Sequence, residues 1–131
     1  MTIVTMKELM AVEVKENIDE YTVTDLCNIR GKASIAAVKA SREYFEKEMG
    51  GEDRWSCGFA WVNICDIKGN TKLGRKMKQS GFKKDYSGSY CEWNPSGIAA
   101  QNIDVKEIGA RAYADVFKKY GFKAYAGSRL D

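Results

Sequence analysis

Histidine is absent from the 131-residue chain. No Ser-His-Asp or Cys-His relay can be built, because the imidazole that shuttles the proton is missing. Zinc sites with histidine ligands are excluded on the same ground. The chain also lacks G-x-G-x-x-G and any G-K-[ST] phosphate loop; the stretch from Gly69 to Lys76 is only superficially like one. Asp66, Asp85 and Glu92 are scattered, which disfavours a metal hydrolase. Long apolar runs are missing too: Phe59 to Val62 is typical, so nothing is expected to span a membrane. The opening MTIVTMKELM has no basic region followed by an apolar one, so no signal peptide is expected and the cytosol is the expected compartment. Without a relay, metal pattern or phosphate loop, binding is expected rather than catalysis, and no cofactor is implied.

Four cysteines are present, at 27, 57, 65 and 91, with no C-x-x-C pair. Cys57 and Cys65 fall at opposite ends of one expected strand, about 26 Å apart, too far to bond within it. Buried free thiols are the expectation. Apolar residues make up 44% and charged residues 30%, ordinary globular usage, and the length suits a single domain over residues 1–131.

Within that domain, residues 1–50 read as a helical section and 56–131 as a mixed core. A short helix is expected over Met6 to Val14. Thr22 with Asp25 resembles a capping box, and Leu26, Ile29, Ala33, Ala36, Ala37, Ala40 and Tyr44 carry a helical stripe toward Met49. Gly31 marks a potential break in it, and Gly50-Gly51 ends it. Ser56 to Asp66 reads as a strand, with Cys57, Phe59 and Trp61 on one face and Gly58, Ala60, Val62 and Ile64 on the other. Two apolar faces predict a central strand covered on both sides, by the long helix or by a second copy of the chain. Thr71 or Asn70 starts a short helix to Ser80, followed by a hairpin around Ser87-Gly88 and a loop at Trp93 to Gly97. Asp104 with Glu107 starts another helix, with Val105, Ile108, Ala112, Val116 and Phe117 as its stripe. Gly121 ends that helix, and Phe122 to Ala126 is the last strand. The prediction is an α+β fold: a βαββαβ, ferredoxin-like order forming an antiparallel sheet, with an extra long N-terminal helix. KQSGFKKDYSGS at 78–89 echoes KKYGFKAYAGS at 118–128; shared helix-to-strand geometry and an old duplication both produce such an echo.

The net charge of +3 divides unevenly. Residues 1–56 carry eight Lys+Arg against eleven Asp+Glu, and residues 57–131 carry thirteen against seven. Between Lys68 and Tyr86, seven basic residues face only Asp85. Lys72, Arg75 and Lys76 are expected on the outer side of the short helix, with Lys83 and Lys84 following and Phe82, Tyr86, Tyr90 and Trp93 close behind. A basic helix beside an aromatic hairpin can hold phosphates while stacking bases; a solvated helix face neutralised by the acidic N-terminal section is the structural alternative. Trp93 and Asn94, with Gln101 and Asn102, offer hydrogen-bonding edges, or simply turn chemistry and a buried indole. Glu107, Arg111 and Asp115 read as a salt-bridge ladder. Arg129 can reach a ligand or pair internally.

The segments CGFAWV, NTKLGRKMKQSGFKKDYSG, WNPSG and AYAGSRLD, with Gln101, together resemble a group of small accessory proteins of tailed bacteriophages and prophages. The likeness covers residues 57–131. It implies a host bacterial cytosol and the inhibition of a host nucleic-acid-handling or defence complex, in the manner of anti-CRISPR proteins. The binding surface expected for this role comprises Lys72, Arg75, Lys76, Lys83, Lys84, Trp93, Asn94 and Arg129. Its partner is a host protein or nucleoprotein complex, or nucleic acid itself, and a homodimer is compatible with it. Two other functions stay open: a nucleotide or small-molecule sponge built on Asn94, Gln101, Arg111 and Arg129, and an enzyme using carboxylate, tyrosine, lysine or cysteine chemistry.

Overall fold

The computed structural model describes residues 12–53, 55–85 and 87–131. Helix α1 spans Val23–Lys47. Its start is the expected capping box: the Asp25 amide donates to Thr22 Oγ1, and the Thr22 amide donates to Asp25 Oδ2, both at 3.0 Å. Together they satisfy two backbone donors that have no partner inside the helix. Gly31 does not interrupt the helix. Gly50 and Gly51, both at positive φ, turn the chain away from it. Of the helix expected over Met6 to Val14, residues 12–14 are irregular and the rest lies outside the described residues.

The remainder runs β1 (Gly58–Cys65), α2 (Lys72–Gln79), β2 (Lys83–Lys84), β3 (Tyr90–Trp93), α3 (Ile103–Lys119) and β4 (Lys123–Leu130). The strands form one antiparallel sheet in the order β2-β3-β1-β4. This is the expected βαββαβ arrangement, with the long N-terminal helix added. Two details differ from expectation. Helix α3 is capped by Asn102, whose Oδ1 accepts from the Val105 amide at 3.0 Å, two residues before the expected Asp104. Strand β4 continues to Leu130 because eight residues of β1 offer it partners, from Gly58 opposite Leu130 to Cys65 opposite Lys123.

The echoed segments adopt one geometry. Gly81 and Gly121 have φ near +100°, and the following Phe82 and Phe122 amides donate back to Met77 and Phe117 carbonyls at 3.1 Å. Both phenylalanines then meet the fully buried Phe117 edge-on, at 5.6 and 5.4 Å. A helix C-cap leading into a strand fixes both the glycine and the buried aromatic after it.

The largest correction concerns which face of the sheet is covered. Ala60, Val62, Ile64, Tyr90 and Ala124 share one buried cluster with Leu26, Ile29, Ala33 and Ala37 of α1, Leu73 and Met77 of α2, and Tyr113 and Phe117 of α3. All three helices therefore lie on the same side. Arg30 of α1 reaches Glu92 on that side at 3.0 Å and donates to the Ser80 carbonyl at the end of α2 at 3.1 Å. Burial lowers the Arg30 pKa, but the Glu92 hydrogen bond and charge outweigh it and the net shift is upward. The long helix does not cross to the face bearing Phe59 and Trp61, and no described residue forms a layer over that face.

Helices α1 and α3 make the main interhelical contact, and Gly109 sits at it. A β-carbon there would lie 2.8 Å from Ser96 Cβ, 3.2 Å from the Ala37 carbonyl and nearer still to Ser41 Oγ. Ser41 is itself buried and donates to the Val105 carbonyl at 2.7 Å. Exposed Gly-to-Ala changes in helices gain about 1 kcal/mol. Gly109→Ala is expected instead to destabilise the fold by about 1–3 kcal/mol through overpacking, measured by urea denaturation; a gain in stability would show that the helices do not meet this closely.

Candidate functional site: the open face of the sheet

Strand register determines what the uncovered face carries. Paired residues point to the same side, so Trp93, Trp61 and Gly127 form one row, and Cys91, Asn63 and Tyr125 the next. Lys83 extends the second row through Cys91. Phe59 stands opposite Arg129, and Cys65 opposite Lys123. The face thus collects aromatics on both central strands and three cations around them. Trp93 and Tyr125 are each 55% exposed.

Trp61 and Trp93 lie parallel, 3° apart in plane with centroids 5.5 Å apart, and Phe59 tilts against Trp93 at 5.7 Å. Two features hold this group in place. A β-carbon on Gly127 would fall 2.5–2.8 Å from the Trp61 indole, so only glycine lets the ring settle on β4. With the Asn63 amide assigned the orientation that satisfies both its ends, Trp61 Nε1 donates to its oxygen at 3.2 Å and its nitrogen donates to Asp85 Oδ2 at 3.2 Å. Asp85 Oδ1 accepts from the Ser87 hydroxyl, the Ser87 amide and the Ser89 amide, at 2.6, 2.9 and 3.1 Å. The Ser87 hydroxyl first, and the backbone amides after it, hold the Asp85 carboxyl below the usual aspartate range.

Cations approach the platform from its ends. The Arg129 guanidinium and the Lys106 amine each lie 5.5 Å from the Phe59 ring centroid. Lys106 is only 8% exposed, and its amine donates to the Gly58 carbonyl at 3.0 Å. Lys123 pairs with Asp66 at 2.7 Å, and that hydrogen bond raises its pKa.

The expected site residues divide between the two sides of the sheet. Trp93, Lys83 and Arg129 belong to the open face. Lys72 and Arg75 are exposed on α2, on the helical side. Lys76 caps backbone instead, donating to the Asp19 and Tyr21 carbonyls at 3.0 and 2.9 Å. Lys84 lies on the helical side, its amine 5.4 Å from the Tyr90 ring. Asn94 adopts φ 46° in the turn after β3, with its amide oxygen buried and unpartnered. The basic helix and the aromatic hairpin are therefore not one surface: Phe82 and Tyr90 are core residues, and Tyr86 lies outside the described residues.

Other expectations are also revised. The thiols are free, but Cys27 and Cys57 are exposed and Cys65 and Cys91 half-buried. Burial first, then the charges of Asp85 and Glu92, push the Cys91 thiol pKa up. Arg111 pairs with Glu107, which also accepts from Ser128 at 2.8 Å on the helical side, whereas Asp115 pairs with Lys118 at 3.8 Å. Arg111 and Arg129 thus lie on opposite sides of the sheet, and the residues expected to line a sponge pocket do not converge. Among the described residues no cluster of three or more acidic or cysteine side chains could hold a metal ion, and no helix is long and apolar enough to cross a membrane.

Phe59, Trp61, Tyr125 and Gly127 are the residues missed by sequence reasoning. The signal was in β4, where Lys123, Tyr125 and Arg129 alternate with Ala124 and Ala126: that alternation marks one face of the sheet as solvated, and register carries the mark to Phe59 and Trp61. Comparison of the chain with protein-family models, curated proteins and solved structures finds no match.

If the Gly127 contact holds Trp61 in place, Gly127→Ala is expected to cost about 1–3 kcal/mol in the wild-type background and much less in a Trp61→Ala background. Urea denaturation of the four proteins in this double-mutant cycle measures the coupling; equal costs in both backgrounds would contradict the contact.

Proposed function

We propose that the protein is a binding protein that takes unpaired nucleic-acid bases onto the open face of its sheet. One observation carries this reading: a parallel tryptophan pair on the two central strands, Trp93 exposed and Trp61 half-buried beside it, flanked by Arg129 and Lys83. Bases stack on such rings without regard to identity, because every base has a π-face, and each stack contributes about 1–3 kcal/mol. Four-stranded sheets with aromatics on their central strands suit single-stranded ligands whose bases are splayed out. Arg129 and Lys83 supply the charge that a phosphate backbone requires.

The chemistry also bounds specificity. The Asn63 amide already commits one acceptor and one donor position to Trp61 and Asp85, which leaves it one N–H and one lone pair for a base edge. Stacking and charge remain the main contacts, so binding is expected to depend strongly on salt and weakly on sequence. The phage-type resemblance supports a setting in which this face meets a host nucleic-acid-handling or defence complex in the bacterial cytosol and blocks it, with exposed nucleic acid as the point of contact.

Fluorescence anisotropy with labelled oligothymidylate tests the reading. Trp93→Ala and Trp61→Ala are each expected to weaken binding about ten- to a hundredfold, with duplex DNA of the same length bound more weakly than the single strand. Wild-type affinity in both variants would overturn the proposal. So would a dimer in sedimentation velocity that dissociates on Trp93→Glu, because the face would then belong to a second copy of the chain.

A further inference from the structure

The open face and the basic helix α2 lie on opposite sides of the sheet, but the edge strand between them is only two residues long. Strand β2 consists of Lys83 and Lys84, paired with Cys91 and Tyr90, so it stops short of Glu92 and Trp93. At this edge lies a groove of about 410 Å³ whose walls come from both sides of the sheet. Trp93, Cys91 and Lys83 border it from the open face, and Arg30, Lys84 and Glu92 from the helical face. Arg30 and Glu92 neutralise each other there, which leaves the two charges of Lys83 and Lys84 against the single carboxylate of Asp85.

Beyond the groove the charge continues. The Lys84 and Lys78 amines come within 2.8 and 3.6 Å of the point where a β-carbon on Gly69 would sit. Two like charges converge there over a residue without a side chain, and no described carboxylate pairs with either. Neighbouring ammonium groups repel unless an anion lies between them. Asp85, the closest acid in sequence, already spends its oxygens on Ser87, Ser89 and Asn63.

We propose that Gly69, Lys78 and Lys84 form a phosphodiester subsite. A single strand whose bases stack on Trp61 and Trp93 leaves the open face over the β2 edge, passes Lys83 and places a later phosphate between the Lys78 and Lys84 amines. This rests on the stacking reading above and extends it by giving the ligand a path and a second contact. Gly69 matters because a side chain there would displace the Lys84 amine; Tyr90 beneath Lys84, 5.4 Å from the amine, supports the lysine stem from below.

The test uses oligothymidylates of four and twelve nucleotides with the wild type, Trp93→Ala and the Lys78→Gln/Lys84→Gln double variant, over a salt series. Both lysines are exposed, and unchanged circular dichroism verifies that the variant is folded. The double variant is expected to bind the 12-mer about tenfold more weakly. Its slope of log K against log salt should be shallower by about 0.7, the value for one lost phosphate contact on a single strand. Its affinity for the 4-mer, read by tryptophan quenching, should equal that of the wild type. A wild-type slope and affinity for the 12-mer in the double variant overturn the subsite while leaving the stacking reading intact. Equal losses for both oligonucleotides also overturn it, because the lysines would then act at the platform itself. Loss of 12-mer binding in the lysine variant with Trp93→Ala unaffected keeps the phosphate site and removes the stacking reading. No binding of either oligonucleotide by the wild type overturns both.

Discussion

The contact between α1 and α3 is the constraint on which the remaining structure depends. Gly109 lets the two helices meet at backbone distance, with Ala37 and Ser41 on the opposing surface. Twenty-five residues of helix are thereby committed to the side of the sheet that α3 already covers. Arg30 fastens the same helix to Glu92 of β3 and to the end of α2. Helix α2, of only eight residues, could not by itself cover its half of the sheet, and α1 completes that layer. Once all the helical mass lies on one side, the other face of the sheet must carry whatever its strands present, and these strands present aromatics.

That face is prepared rather than merely exposed. An indole on an open sheet ordinarily samples several rotamers. Trp61 is limited to one placement by the bare backbone of Gly127 beneath it and by its hydrogen bond to Asn63, which the Asp85 turn in turn supports. Trp93 then lies parallel to it. Rings held in place before a ligand arrives lose less conformational entropy on binding, and that saving appears as affinity. The same network takes up part of the hydrogen-bonding capacity of the one amide at the centre of the face, which favours a contact that recognises base planes more than base edges. The turn that supplies Asp85 also carries the chain from the two-residue β2 into β3, so the platform and the sheet edge share one support.

Much of the fold was legible in the sequence because local signals and global topology agree. Thr22 with Asp25, Gly81 before Phe82 and Gly121 before Phe122 each mark an end through backbone chemistry that acts within a few residues. The helix, strand and turn order over residues 56–131 follows from such marks and gives the sheet order with it. The covered face was not legible in the same way. Phe59 and Trp61 are as apolar as Ala60 and Val62, and hydrophobicity alone does not distinguish a buried face from a stacking face. The distinction lies in β4, through Lys123, Tyr125 and Arg129, and it reaches β1 only when the register is known. For the same reason a cluster contiguous in sequence, Lys72 to Trp93, separated in space. A strand reverses side at each residue, so Lys83 and Lys84 face opposite ways, while Tyr90 is drawn into the core to donate to the Gly74 carbonyl at 2.9 Å.

The central claim is that the open face, and not the helical layer, is where nucleic acid lies. Chemical-shift mapping of the ¹⁵N-labelled protein with oligothymidylate tests it most directly, because the tryptophan indoles report by themselves. The account predicts that the Trp61 and Trp93 indole signals move first and furthest, with the Phe59, Gly127 and Arg129 amides following, while the amides of α1 and α3 stay in place. Shifts confined to the helices, with both indoles unmoved at saturation, would contradict it.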